Sequence, residues 1–308
     1  MSMSINLVTK YLPILDAIYK KNALTAPLEV NPENVKFKNA NKVELFNMTM
    51  DGLGTYSRSA GYVAGEVGNT WEEKTLTIDR GRSFQVDVMD DEETILMLYG
   101  KLVGEFMRTH VVPEIDAYRF ATLAGTANIG GAAADITAGT TDITALLDTA
   151  EEYMGDKEVP AEGRILYVSE LCYKALKQKG ITRTIANENG VNRNIEVYNG
   201  MEVRRVPKAR FCTGITLLDG STEGQEGGGY KFTSGTSKPI NFMIVHPSAV
   251  TAITKHEVPR VFNPMVNQTA NAWRFDYRIY HDIFALSKKL DGIYVHKAST
   301  ALASDITG

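Results

Sequence analysis

The sequence predicts an α+β fold, on three observations. Residues 72–88 alternate polar and apolar side chains with a period of two, the pattern of half-buried strands. Residues 90–125 open on Asp90, Asp91, Glu92 and Glu93 and then carry Ile95, Leu98, Leu102 and Phe106 at helical spacing, as a long helix with acids at its positive end would. Residues 130–253 alternate helix-like and strand-like segments, and residues 254–308 return to strand patterns. Two units emerge: a compact α/β module at about 130–253, and a second unit made from the long helix and the C-terminal strands.

Residues 1–45 read as an N-terminal arm. A short helical piece near Leu15–Lys20 is followed by TAPLEVNPENV, where Pro27 and Pro32 oppose regular structure. Such an arm holds little core of its own and must lie on something else. Residues 46–89 read as an extended loop built on a β-hairpin. Pairing Ile78 with Phe84 and Leu76 with Val86 puts these four side chains on one apolar face. The same register leaves Arg80, Gly81 and Arg82 as a three-residue loop at the tip. A lone two-stranded hairpin is marginal in water, so this face requires a cover.

Residues 90–129 hold one helix of roughly 30 residues, bent near Val112 because Pro113 removes a backbone donor, and stopped at Gly125. GTANIGGAAADITAGTTD, residues 125–142, is a small-residue linker. Asp142 then caps a helix with Ile143, Leu146, Leu147, Ala150 and Met154 on one face. RILYVS, residues 164–169, reads as a buried strand, and Ser169 caps a helix that ends at Gly180. Asn199 and Gly200 form a turn between strand-like segments. Residues 220–238 read as a flexible glycine-rich loop. INFMIVHP is a central strand and SAVTAITK a short helix. Farther on, HEVPRVFNP is extended. WRFDYRIYHDIFAL is a long strand through Phe275, Tyr277, Ile279 and Ile283, with a shift of phase near His281. KLDGIYVHKA supplies an Asp-Gly turn and a final strand.

Composition narrows the function classes. The 308 residues suit two or three folding units, and 44% hydrophobic with 23% charged residues is ordinary for a globular protein. A net charge of −4 opposes a general nucleic-acid binder. Cys172 and Cys212 are too few for a disulfide scaffold or a cysteine-rich zinc site and read as buried small residues. No apolar run approaches the ~20 residues that span a membrane, and the first residues lack the core and cleavage site of a signal peptide. The expectation is a soluble, cytoplasmic product.

Motifs of chemistry are missing. FTSGTSKP lacks the first glycine of a phosphate-binding loop, and no helix follows it. EGQEGGGY has no strand-turn-helix around it. His110, His246, His256, His281 and His296 form no HxxxH or HxH pair, and no serine sits in GxSxG. No catalytic residue, metal or cofactor is predicted, and the chain reads as non-enzymatic.

The order of parts carries more than any motif. TWEEKTLTIDRGRSFQVDVMDDEET leads into the long helix. RILYVSELCYKALKQ follows, then INFMIVHPSAVTAITK and the C-terminal strand pair. This order resembles the major capsid proteins of tailed bacteriophages, which share the Hong Kong 97 fold, and the resemblance covers essentially the whole chain. It implies an N-arm at 1–45, an extended β-hairpin loop at 46–89, and a spine helix with the first part of a peripheral domain at 90–129. It further implies an axial α/β domain at 130–253 and a return to the peripheral domain at 254–308.

The resemblance also implies a function: self-assembly into pentamers and hexamers of an icosahedral shell around double-stranded DNA. Its partners would be the chain itself, a separate scaffolding protein, a portal and non-specifically contacted DNA, with no membrane. The product would be found in the virion capsid, and in host cytoplasm during assembly. On this reading the Leu76, Ile78, Phe84 and Val86 face lies across a neighbouring subunit. Residues 71–93 hold eight acids and three bases, and residues 171–210 nine bases and three acids. Glu72, Glu73, Asp87, Arg204 and Arg205 are therefore candidate charged contacts between subunits, serving register more than affinity. An encapsulin-type nanocompartment shares the fold with another role. A soluble enzyme with an unrecognised site is the reading from another class.

Overall fold

The computed structural model describes residues 23–29, 35–38, 42–59, 61–87, 104–137, 139–178, 183–185, 195–256, 260–267 and 270–308. In chain order, β1 (Val35–Phe37), β2 (Lys42–Met50) and β3 (Val67–Thr75) form an antiparallel sheet. β4 (Ile78–Asp87) follows after two residues and joins a different sheet. A π-helical turn, Met107–Val111, runs into α1 (Val112–Gly125). Next come β5 (Gly130–Ala133), α2 (Ile143–Asp156), β6 (Ile165–Ser169) and α3 (Glu170–Gln178). β7 (Arg183–Ile185), β8 (Ile195–Tyr198), β9 (Met201–Val206), β10 (Ile215–Leu217) and β11 (Tyr230–Phe232) follow, then β12 (Ile240–Val245). The chain closes through β13 (Val250–His256), β14 (Arg260–Phe262), β15 (Ala272–Ala285), β16 (Ile293–Lys297) and β17 (Ile306–Thr307).

The largest sheet has the order β5-β16-β12-β6-β9-β8-β7. β12 lies inside it with all six residues buried, which is why INFMIV reads as an unbroken apolar run. Its side chains alternate between two cores. Phe242 and Ile244 join Leu166 and Val168 under α2 and α3, with Leu147, Met154 and Leu176. Met243 and Val245 join Ile165, Tyr167, Ile293 and Val295 on the other side, against Phe120 and Leu123 of α1. A register irregularity between Ile240 and Phe242 puts these two residues in opposite cores, as a bulge would.

α1 is surrounded. Val112 and Ile115 meet Phe275, Tyr277 and Ile279 of β15. Ala117 and Ala121 admit Tyr230 and Phe232 from the small sheet β10-β11-β17, and Leu302 from the segment before β17. Phe120 stacks edge-on against Tyr167 and Phe211, both at 5.0 Å between ring centroids. A helix met by apolar side chains on several faces belongs inside a protein.

Several local expectations meet the structure directly. The Asp142 side chain accepts from the Thr144 N–H, and the Ser169 hydroxyl from the Cys172 N–H at 3.4 Å. Asn199 and Gly200 take φ of 45° and 81°, the left-handed pair that a tight hairpin turn requires, between Tyr198 and Met201. Cys172 and Cys212 are free and buried, and burial pushes both thiols up to about 11.

Other expectations are corrected. The hairpin read between residues 72–79 and 83–88 does not exist. β3 pairs with β2, and β4 pairs with β15 along its whole length. Arg80, Gly81 and Arg82 are therefore mid-strand, opposite Ile279, Arg278 and Tyr277, and not a tip. Gly81 is there for space: a Cβ would lie 2.8 Å from the Tyr277 carbonyl oxygen. Alternation identifies a strand and its faces but not its partner, and the glycine was read as a turn. What separates β3 from β4 is Thr77, whose N–H and hydroxyl both donate to Asp282, at 2.9 and 2.8 Å.

SAVTAITK is not a helix. Pro247–Ala249 makes one 3₁₀ turn, and β13 then pairs with β15 from Val250↔Ala285 to His256↔Ile279; β-branched residues fit the pleated surface better than a helix. β15 keeps one phase throughout. Phe275, Tyr277, Ile279, His281 and Ile283 are all buried, so His281 occupies the apolar row. The glycine-rich stretch contains β11, whose Tyr230 and Phe232 rings are buried. Its turn is held by Asp219, which accepts from the N–H groups of Ser221 and Thr222 and the Thr222 hydroxyl. In the long helix the irregularity falls at Met107–Val111, where Val112 N–H donates to the Met107 carbonyl, one residue farther back than in an α-helix. The predicted apolar positions Ile95, Leu98 and Leu102, the acids Asp90–Glu93, and the arm helix near Leu15–Lys20 lie outside the described residues.

Candidate assembly surfaces

The segment that projects is the β2–β3 hairpin. Its register runs from Lys42↔Thr75 to Met50↔Val67, and its two ends differ. At the root, Val43 and Leu45 are buried with Leu76 and Ile253, against Tyr280, Phe284 and Leu286. Ion pairs brace the root: Lys38 to Glu44 at 3.0 Å and to Glu73 at 3.4 Å, Lys42 to Glu73, and Lys74 to Glu72 at 2.6 Å. Hydrogen bonds from Lys42 and Lys38 hold the Glu73 carboxyl below its ordinary value. The Lys36 ammonium sits 4.0 Å from the Trp71 ring centroid.

The outer end is built differently. Asp51 and Glu66 close the neck: Glu66 N–H donates to the Asp51 carboxylate at 2.8 Å, and Asp51 N–H to the Glu66 carbonyl at 3.2 Å. Ser57 and Gly61 exchange two backbone hydrogen bonds, with Gly61 at φ 80°. The Tyr56 and Tyr62 rings lie 5.0 Å apart. The tip is thus an ordered loop, yet Tyr62 is 90% exposed, Leu53 is fully exposed, and Met50, Val63 and Val67 are about two-thirds exposed. None of the described residues covers it. Contiguous exposed apolar side chains of this kind mark interaction sites. A smaller exposed pair, Met265 and Val266, lies in the turn between β14 and β15.

The four residues of the predicted inter-subunit face pack within the chain. Leu76 is buried at the hairpin root. Phe84 lies 4.9 Å from Phe106 and 6.4 Å from Phe275 between ring centroids. Ile78 and Val86 are half-buried. The predicted tip residue Arg80 fastens three elements: it donates to both Glu114 carboxylate oxygens, at 2.7 and 3.1 Å, and to the carbonyls of Leu218 and Gly229, at 2.6 and 3.1 Å. Arg82 donates to the Glu226 carbonyl at 2.9 Å. These two arginines, Phe84, Phe106 and Gly227–Gly229 line a cavity of about 200 Å³.

Four of the five candidate charged contacts have partners close by in the chain. Glu72 and Glu73 serve the hairpin root, as above. Arg204 pairs with Glu202 at 2.6 Å, and Arg205 with Glu170 at 2.7 Å while lying over the Tyr173 ring. Asp87 ends β4 opposite Ala272.

One functional arrangement was not anticipated from sequence. Asp116 and Arg119 of α1 are fully buried and hold Ala23–Glu29, the first described segment. Asp116 accepts from the N–H groups of Leu24 and Thr25, both at 3.1 Å, and from the Thr25 hydroxyl at 2.7 Å. Arg210 reaches it at 3.4 Å. Arg119 donates to the Thr25 hydroxyl at 3.0 Å, to Glu29 at 2.9 Å and to Thr254. Burial pushes the Asp116 carboxyl up, and its hydrogen bonds to Thr25 and Leu24 oppose that rise. The sequence signal is two charges, Asp116 and Arg119, among the apolar positions Ile115, Ala117, Phe120 and Ala121.

No family model matches the chain, and no curated protein matches it in sequence. Solved structures do. A structure from Gordonia phage Cozz aligns over 92% of this chain and 86% of its own, with 14% identity and a TM-score of 0.53. The capsid structure of cyanophage P-SCSP1u aligns over 86% of both chains, with 12% identity and a TM-score of 0.52. The mature capsid of bacteriophage PhiM1 aligns over 86% of this chain and 84% of its own, with 14% identity and a TM-score of 0.50. At such identities the likeness speaks for the fold: a mixed α+β chain with few helices and several sheets, matching phage capsid folds over most of its length.

Proposed function

We propose that the chain is a major capsid protein, a structural and non-enzymatic subunit that assembles with copies of itself into a closed icosahedral shell. The observation that carries this reading is the β2–β3 hairpin, ordered to its tip yet apolar and uncovered there, on a fold shared with phage capsids over most of its length. A neighbouring subunit supplies the missing cover. The hairpin is the extended loop, now taken as residues 42–75. α1 is the end of the spine helix. The sheet of β4, β13, β14 and β15 forms the peripheral domain, and the seven-stranded sheet with α2 and α3 the axial domain. Pentamers and hexamers around double-stranded DNA, with a separate scaffolding protein and a portal, complete the proposal.

Electron microscopy of the purified protein, expressed with a neighbouring scaffold gene, tests it. The expected result is closed shells or rings of five and six subunits, with DNA inside native particles. A uniform monomer or dimer under the same conditions overturns the shell reading, and shells filled with a protein cargo overturn the DNA-packaging part.

A further inference from the structure

We propose that Asp116 and Arg119 form a peptide-binding socket, and that Ala23–Glu29 is its ligand: a plug, held in cis, that can leave without unfolding the rest of the chain. The inference goes beyond the shell reading and does not depend on it.

The chemistry on the two sides is complementary. A carboxylate, which only accepts, faces two successive backbone N–H groups and a hydroxyl. A guanidinium, which only donates, faces the same hydroxyl and the Glu29 carboxylate. The Leu24 carbonyl accepts from Arg204 at 3.2 Å and from the Tyr167 hydroxyl at 3.4 Å. Leu28 fills an apolar site beside Phe120 and Val250. The socket thus selects a peptide with threonine, leucine and glutamate at positions one, four and five.

The plug's backbone is tied to the rest of the chain at few points. It enters no strand ladder; one isolated bridge, Glu29↔Ala252, links it to β13. Its own backbone bonds are local, from Leu28 N–H to the Thr25 carbonyl and from Glu29 N–H to the Ala26 carbonyl, so it keeps its turn by itself. Its socket residues lie about 90 positions away in sequence, on a helix that packs against three sheets; Leu28 and Ala23 join two of the cores around it, so the link between plug and helix is side-chain packing and hydrogen bonds, not a strand ladder. An emptied socket would leave two buried charges short of partners, which is strongly unfavourable. The plug is therefore seated in the isolated subunit and fixes the point from which residues 1–22 depart.

Amide hydrogen exchange on the full chain tests this, with Asp116→Asn, Thr25→Val and the double variant. In each single variant, exchange across residues 23–29 accelerates at least ten-fold, while α1 and β12 stay at wild-type rates. The double variant is faster than either single one by less than the product of the two effects, because the two changes share the Thr25 hydroxyl–Asp116 bond. If α1 loosens together with residues 23–29 in Thr25→Val, the segment is part of the core and the proposal fails. Fully additive effects, which would mean that the Thr25 hydroxyl and Asp116 act apart, overturn it equally. Should Asp116→Asn fail to fold, Thr25→Val, which changes only the plug, decides the matter.

Discussion

α1 and the hairpin tip are both apolar, and they meet opposite fates. Phe120, Ala121 and Leu123 of α1 are buried because three sheets of the same chain converge on the helix. Leu53, Tyr62 and Val63 of the tip stand exposed, although the loop that carries them is held by backbone pairing at Ser57–Gly61. The hydrophobic driving force per unit area is the same in both places. What differs is who provides the cover. In α1 the fold provides it, so stability and packing are one property of the subunit. At the tip nothing in the described chain does, so burial there waits for a second molecule.

The comparison breaks most visibly at Phe120. Replacing Phe120 with alanine opens a cavity between Tyr167 and Phe211 and is expected to cost about 3–5 kcal/mol of subunit stability, read by urea denaturation. A loss below 1 kcal/mol would mean that α1 is not the centre of the core. Leu53→Asp with Tyr62→Asp sharpens the other half. Subunit stability should change by no more than about 0.5 kcal/mol, while shells disappear from micrographs. Normal shells from this double variant would show that the tip is not an assembly surface.

The smallest effect is expected from acid. Asp135 is held at about 2 by the Ser299 and Thr300 hydroxyls and the Thr300 N–H. Asp305 is held at about 2 by Lys231 and Ser234. Both folded values lie below the ordinary 3.8. The stability they supply is therefore complete above about pH 4 and lost as the pH falls towards 2. Melting temperatures of the wild type and Asp135→Asn should converge over that window; parallel curves would mean that Asp135 carries no tether.

Much of the fold was legible where the signal was local. Asp142 as a cap, Asn199-Gly200 as a turn and INFMIV as an interior strand each depend on a few neighbouring residues. Strand partners were not, because they depend on residues far away. Residues 72–86 showed two strands, but not a shared face: Leu76 enters the core at the hairpin root and Phe84 the one beside β15, and β4 finds its partner about 190 positions later, where Ser83 meets Asp276. Gly81 looked like a turn residue because a glycine required for close approach and one required for a turn are the same letter. The Asp116–Arg119 socket was hidden for a related reason. A charge on a helix is ordinarily a solvated face, and only its distant partners Thr25 and Glu29 reveal that it is not. The uncovered tip was illegible for a third reason: LGTYSRSAGYV, residues 53–63, carries no periodicity, and exposure is set by the absence of neighbours.

The π-helical turn at Met107–Val111 leaves one more trace. It holds one residue more than the α-helical path needs, and each residue turns a helix by about 100°. The turn just before it, residues 104–106, is therefore set at an angle to α1 that the surplus residue fixes. Phe106, on the near side, points at Phe84 and Tyr277, while Val112 onward is aligned for the three sheets around α1. Removing one residue from this turn would let the helix run straight through, and would rotate Phe106 away from Phe84 and Tyr277.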